Sequence, residues 1–429
     1  MLNFKPSRFP FFYGWVVLVA GTAGMLMSAP GQTIGVSVFT DSLIEDLDVE
    51  RSLLSLAYLI GTLASAAVLA PAGRLYDRFG ARRVATAAVL GLAATLFALS
   101  HAAAFGGGFV VITVGFFLLR FTGQGVLTLA SRNMVMEWFE KRRGLANAVL
   151  GVSISFGFSA APRVFEALLD AQGWQGAWRL IAAALVGFAL LALFFYRDTP
   201  EAHGMKPDGP GRIKVRVSHP ETAPAQSFTP AEARRTYTFW VFALSLFLGA
   251  LVMTAYTFHV VSIFEDAGMT RDLAVNVFLP ASFVAVGVQF AGSWLSDRTK
   301  LKYIAAVGML GQMTLCGALV FLAPGLPYGL VVVGHGLTQG IFGITANITW
   351  PRFFGRRHLG AISGFAMALT VAGSAIGPYA FSLARDLTGS YAAAALIGGG
   401  IAAVLFVALL RTSRPRRPHE LTSSGNTTA

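Results

Sequence analysis

Apolar residues run along this chain in blocks of membrane length, and polar residues gather in the short intervals between them. A helix that crosses the hydrocarbon core needs roughly 20 mainly apolar residues, and about twelve runs reach that length. The first six are Phe12 to Phe39, Leu53 to Ala72, Val84 to His101, Gly108 to Val135, Leu145 to Leu168 and Leu180 to Tyr196. The second six are Trp240 to Phe264, Leu273 to Leu295, Ile304 to Leu322, Leu326 to Thr349, Ile362 to Ala384 and Ala393 to Leu410. The pattern predicts an all-α membrane protein whose twelve transmembrane helices form two six-helix, pseudo-symmetric bundles, residues 1–197 and 238–429, joined by a linker over 198–237.

Composition agrees: 55% of residues are hydrophobic and only 13% charged, too little polar surface to cover a water-soluble globule. The net charge of +12 raises the question of nucleic acid, and the placement of the basic residues answers it. With both termini in the cytoplasm, roughly 26 of the 33 Lys and Arg fall on the inner side, as the positive-inside rule requires. The basicity therefore reports topology, with the lipid bilayer rather than nucleic acid as partner; the expected location is a plasma membrane of the bacterial inner-membrane kind, multi-pass. Cys316, inside an apolar run, is the single cysteine, so neither an intrachain disulfide nor a cysteine metal site is possible.

The linker is rich in Pro, Gly and charge, has no apolar period, and reads as a tether. At its end Thr229, Pro230 and Glu232 have the spacing of a capping box that starts a short helix before the seventh span. The halves echo one another. "LYDR" with Asp77 and Arg78 pairs with "LSDR" at Asp297 and Arg298, "RFTGQG" with "HGLTQG", Asn133 with Asn347, Gly157 and Pro162 with Gly373 and Pro378, and Asp170 with Asp386. The offsets stay at about 214 to 220 residues in unbroken order, the mark of duplicated halves.

The interval between the second and third runs reads "GRLYDRFGARR", with Gly73, Asp77, Arg78, Gly80, Arg82 and Arg83 in a tight cluster. Together with twelve spans and a six-plus-six repeat, this stretch resembles the loop motif of the major facilitator superfamily, and the resemblance covers nearly the whole chain. "WFEKRRGLANAVLG", whose Arg142 and Arg143 join Asp297 and Arg298 as candidate gating residues, and "YGWVV" at Tyr13 resemble signatures of the monocarboxylate transporter group; "GQTIGVSVF" is similar to the oxalate/formate carriers. The eighth span departs from the monocarboxylate carriers, having no ionisable residue between Asp272 and Asp297, and the eleventh span offers no basic residue of the oxalate-carrier kind.

The resemblance implies two bundles that rock about a central site. It sets Asp77 near the N-terminus of the eleventh helix, where a carboxylate gains about 0.3 to 1 kcal/mol from the helix end if exposed and up to ~2 if partly buried, strong enough to hold and weak enough to break. Arg78 and Arg82 could then pair with Asp77 or with the loop around Glu140, and Gly73 and Gly80 would permit the tight turn. A plainer reading of the same charges is enforcement of topology, which leaves Asp77 and the glycines unexplained. Gly157 with Pro162 and Gly373 with Pro378 suit either helix packing or gating.

Charges inside the membrane cost at least ~2.5 kcal/mol and are functional candidates by default. Arg120 lies about 12 residues into the fourth span, roughly 18 Å deep, and its repeat counterpart is His335. By the resemblance both line the cavity, as a cationic and pH-sensitive pocket for an anion; for each, a packed structural role is the alternative. The other polar candidates are Gln32 and Thr33, Gln124, Tyr256 and His259, Gln289, Gln339 and Asn347, and each could equally be an interhelical hydrogen bonder. Arg163 and Glu166, three apart on the fifth span, can form an ion pair or an outer gate.

No phosphate-binding loop, HExxH, GxSxG or ligand cluster is present, so an enzyme is not expected, nor a cofactor or an obligate protein partner. The expected function is secondary active transport of a small organic anion such as a mono- or dicarboxylate by alternating access, with H+ or a counter-anion as a second small-molecule partner. Export of amphipathic compounds is the other reading left open.

Overall fold

The computed structural model describes residues 6–102, 108–209 and 227–415. Lys5, the middle of the linker, and Arg416 and Arg417 of the basic tail lie outside the described residues. Every regular element among the described residues is a helix, as hydrocarbon demands: without water, the backbone of a spanning segment must bond to itself. Ten of its helical stretches are long and apolar enough to cross a membrane.

The elements are α1 (Gly14–Leu26), α2 (Thr33–Ser37), α3 (Thr40–Leu47), α4 (Arg51–Leu99) and α5 (Phe109–Leu119), then α6 (Thr128–Trp138) and α7 (Arg143–Phe195). After the linker come α8 (Pro230–Arg234), α9 (Tyr237–Asp266), α10 (Arg271–Asn276), α11 (Phe278–Ser296), α12 (Leu301–Val320), α13 (Leu326–Phe354), α14 (Leu359–Thr388) and α15 (Ala392–Arg411). The capping box exists: Thr229 Oγ1 accepts from the Glu232 amide while the Glu232 carboxylate accepts from the Thr229 amide.

Ten stretches reconcile with twelve expected spans because two stretches are double. At 49 and 53 residues, α4 and α7 would each be more than twice as long as a hydrocarbon core of about 30 Å if straight. Each is broken by one glycine in a conformation that L side chains rarely adopt, Gly80 (φ 80°) and Gly173 (φ 66°), with one expected span on either side. Gly80 also leaves room for Asp198, whose carboxylate accepts from the Arg82 amide at 3.0 Å; a Cβ at position 80 would collide with it.

The first expected span, Phe12 to Phe39, is not one helix. After α1 the chain makes a 3-10 turn over Ala29–Gly31, passes through an extended Gln32 (ψ 159°), and restarts as α2. Pro30 has no N–H to donate, and Gly31 comes so close to the backbone of Leu119 and Gly123 that a side chain would not fit. The fourth span is irregular at the same place, with a π-helix over Arg120–Leu127 between α5 and α6.

The chain divides into two compact units. Of the described residues, the first takes those within Met1–Arg142, Val152–Lys214 and Leu359–Ala368; the second takes those within Arg143–Gly151, Val215–His358 and Leu369–Ala429. The opening turns of α7 and α14 are thus counted apart from the rest of their helices, because of the contacts described below. In the first unit α1 lies against α6, where Gly21 meets Val135 and Gly24 meets Ser131 and the Tyr196 hydroxyl. In the second, α13 packs on α11 and α12, with Gly334 pressed against the backbone of Leu315. Small residues at these contacts substitute for the hydrophobic driving force that lipid removes.

Candidate functional site

In the first unit the Asp77 carboxylate accepts from the amides of Gly360 (2.7 Å) and Ala361 (2.8 Å), the opening turn of α14. Four amides at a helix start have no intrahelical acceptor, so an anionic acceptor there gains both hydrogen bonds and the dipole. Gly73 makes the approach possible, since a Cβ would strike the Gly360 carbonyl. Asn133 Nδ2 donates to Ser363 Oγ on the same segment at 2.8 Å.

The second unit repeats the device. Asp297 Oδ1 accepts from the Gly144 amide at 3.0 Å and lies 3.5 Å from Arg352, which also donates to the Ser296 carbonyl at 2.7 Å. Burial pushes the Asp297 carboxyl above the usual carboxylate range, against the pull of the Gly144 amide and Arg352. Asn347 Nδ2 donates to Asn147 Oδ1 (2.6 Å), and Asn147 Nδ2 to Ser293 Oγ (2.9 Å). Asn347 thus has an interhelical hydrogen-bond partner, one of the two roles open to it.

The arginines behave otherwise than expected. Among the described residues neither Arg78 nor Arg82 closes an ion pair with Asp77 or Glu140; Arg78 lies over the Phe79 ring (5.2 Å), and Arg298 stacks on Trp294 (3.8 Å) and donates to its carbonyl. Asp77 has spent its oxygens on amides, and the exposed Arg78 guanidinium gains little from pairing in water. Arg163 and Glu166 are likewise both exposed, and among the described residues they form no ion pair. No surface holds them together, so a pair worth a few tenths of a kcal/mol does not outweigh the freedom of the two side chains.

Asp208, in the linker read as a tether, caps the connection after α6. It accepts from the amides of Glu140 (3.1 Å), Lys141 (2.7 Å) and Arg142 (3.2 Å), and its own amide donates to the Trp138 carbonyl. Asp208 adopts φ 62°, a left-handed conformation that Asp tolerates better than most residues. Asp208→Ala is expected to leave three amides without their acceptor and to raise the rate of tryptic cleavage after Lys141 or Arg142 at least fivefold, read by mass spectrometry of timed digests.

Two buried polar clusters lie within the spans. In the first unit Arg120, 1% exposed, donates from Nη1 to the Gly31 carbonyl and to Thr33 Oγ1, both at 3.3 Å, and its guanidinium lies 5.2 Å from the Tyr58 ring. Among the described residues, Arg120 Nε and Gln124 Oε1 are buried without a hydrogen-bond partner. Gln32 Nε2 donates to Ser28 Oγ (3.0 Å) and Thr128 Oγ1 (3.3 Å), tying the break in the first span to the fourth. Arg132, which the sequence reading passes over, is also buried, with Nε and Nη2 unpartnered among the described residues. The signal available for it was an ionisable residue inside the expected fourth span.

In the second unit the His335 ring lies 5.4 Å from Tyr256 and 5.6 Å from Phe278, and Tyr256 Oη and His335 Nδ1 are buried without partners among the described residues. Gln339 is exposed and stands outside this cluster. His259 Nε2 contacts the Pro378 carbonyl at 2.9 Å, joining α9 to α14. On the same pair of helices Gly373 and Gly377 meet the carbonyls of Phe247 and Leu251, while in the first unit Gly157 meets Leu26 and Ala161 stands where Gly377 has its counterpart.

A profile described as Major Facilitator Superfamily matches residues 16–378. The chain belongs to that superfamily. It is 23% identical over 397 residues to the probable sulfoacetate transporter SauU of Cupriavidus necator, covering 88% of this chain and 90% of that one. It is similar to the nitrite extrusion protein of Bacillus subtilis (23%; 85% and 86% covered) and to human monocarboxylate transporter 11 (26%; 91% and 80% covered). Among solved structures it shares its fold with the proton:xylose symporter XylE at a TM-score of 0.72 and 15% identity, over 96% of this chain and 99% of that one. This superfamily member is a multi-pass membrane transporter, and such transporters bind small-molecule substrates.

Proposed function

We propose that this superfamily member is a secondary active transporter of a small organic anion, working by alternating access with both termini in the cytoplasm. The supporting observation is Arg120. A guanidinium carries a full charge at any physiological pH, and here that charge is buried within a span, opposite only neutral acceptors, with Nε still free. Such a charge is costly until an anion neutralises it, and a carboxylate fits the guanidinium fork. The discontinuous first span supports the same reading, because unwound backbone at membrane depth is tolerated where protein buries it or a cavity adjoins it. The relatives are named for sulfoacetate, nitrite and monocarboxylates, all anions.

The Tyr256 and His335 cluster, with two buried and unpartnered polar atoms, supplies further substrate contacts in this reading, and His335 is the group on which a coupled proton would ride. Asp77 and Asp297 hold and release the helix starts that they cap during the cycle. Purified protein in liposomes, loaded with a panel of labelled mono- and dicarboxylates with and without a pH gradient, is expected to accumulate at least one of them tenfold over protein-free liposomes. Transport of amphipathic compounds with no carboxylate moved would replace this reading by the exporter.

A further inference from the structure

Along the fourth span, polar side chains recur every four residues: Arg120, Gln124, Thr128 and Arg132. In a regular α-helix of 3.6 residues per turn, twelve steps would leave Arg132 about 120° around the axis from Arg120. The π-helix over Arg120–Leu127 changes this, because an i→i+5 turn takes in about one residue more than an α turn. Eleven effective steps bring Arg132 to within about 20° of Arg120's direction, roughly 16 to 18 Å further along the axis. The contacts agree: Arg120 and Thr128, eight residues apart, both reach the short broken segment of the first span, Arg120 at Gly31 and Thr33, Thr128 at Ser28 and Gln32.

The result is one polar line through an apolar helix, and its atoms are incompletely satisfied. Among the described residues, Arg120 Nε, Gln124 Oε1, and Arg132 Nε and Nη2 are all buried without partners. Arg132 is 7% exposed, and among the described residues it has no ion pair. A packing role would give that guanidinium carbonyls or a carboxylate, as Arg352 has Ser296 and Asp297. A buried positive charge with donors to spare is a site for a transient anion.

We propose that Arg132 is a second station for the transported anion, a small carboxylate or oxoanion, reached along the same face of the fourth span after Arg120. The π turn is what aligns the two stations. This rests on the anion reading of Arg120, and the experiment separates the two.

Purified wild-type protein in nanodiscs is treated with phenylglyoxal, which reacts with guanidinium groups, in the presence or absence of saturating acetate or oxalate. Modification at positions 120 and 132 is followed separately by mass spectrometry of chymotryptic peptides. Both arginines are expected to react in the free protein, and one of the two anions should slow each at least threefold. Protection at Arg132 should persist in Arg120→Gln. Arg132→Gln should slow proteoliposome uptake of the protecting anion at least tenfold, leaving half-protection of Arg120 within threefold of wild type, and Arg132→Lys, which keeps the charge, should restore part of the rate. Protection of Arg120 alone, an Arg132 that never reacts, or wild-type uptake by Arg132→Gln would overturn the second station and leave the first. Protection of neither arginine would overturn both.

Discussion

Arg120→Gln is expected to lower the affinity for the proposed anionic substrate by on the order of 30- to 3000-fold. Removing one partner of a buried, hydrogen-bonded charge pair costs about 2 to 5 kcal/mol, and each decade of affinity is about 1.4 kcal/mol. The substitution retains an amide able to donate to the Gly31 carbonyl, so the break in the first span keeps a partner while the charge is lost. Two readouts distinguish binding from scaffolding. The thermal midpoint without anion should stay within a few degrees of wild type or rise, since an uncompensated charge has been taken out of the membrane. The rise in midpoint that the anion gives wild type should vanish, because stabilisation by a ligand follows its affinity for the folded state. A folded Arg120→Gln protein that binds and transports the anion undiminished would leave Arg120 a purely structural residue.

Asp77→Asn is expected to slow uptake at least tenfold with little change in the affinity for substrate. The carboxylate receives two short amide donors from Gly360 and Ala361, and hydrogen bonds to a charged acceptor are worth about 1.5 to 3 kcal/mol each. An Asn amide offers one acceptor in place of two, and its NH2 group meets the second amide as a donor facing a donor. The engaged state therefore loses on the order of one hydrogen bond and its charge term, enough to shift a two-state equilibrium by one to two decades. Hydrogen exchange at the Gly360 and Ala361 amides should accelerate in parallel. Net charge on the loop becomes more positive, so topology by the positive-inside rule is preserved. Normal uptake would return the arginine-rich loop to a purely topological role.

Much of this was open to sequence reading for a simple reason. In hydrocarbon the backbone has one economical solution, the helix, and its length is set by the membrane, so a count of apolar runs comes close to a fold. Gly80 and Gly173 illustrate the limit: the polar intervals marked where two long helices must break, while only the backbone angles show which residue takes the strain. The break after Leu26 left no such mark, since "SAPGQT" interrupts an apolar run too briefly to alter its hydropathy. Nothing in side-chain propensity distinguishes the π-helix at Arg120–Leu127 from an α-helix, and that one irregularity decides which face Arg132 occupies.

Partner assignments were the least legible. Asn347 read equally as a substrate contact or an interhelical hydrogen bonder, and only the structure shows its partner, Asn147, 200 residues distant. Asp208 lay in a stretch without any periodicity, and its role depends on where the chain folds back onto three amides. By itself the sequence determined that the chain spans a membrane many times, in two related halves, with an acidic residue placed in a basic loop of each. Only the tertiary structure decided which buried charges are satisfied and which are left open. Hydropathy is a property of each residue alone, whereas the satisfaction of a hydrogen bond depends on pairs of groups that chain order does not bring together.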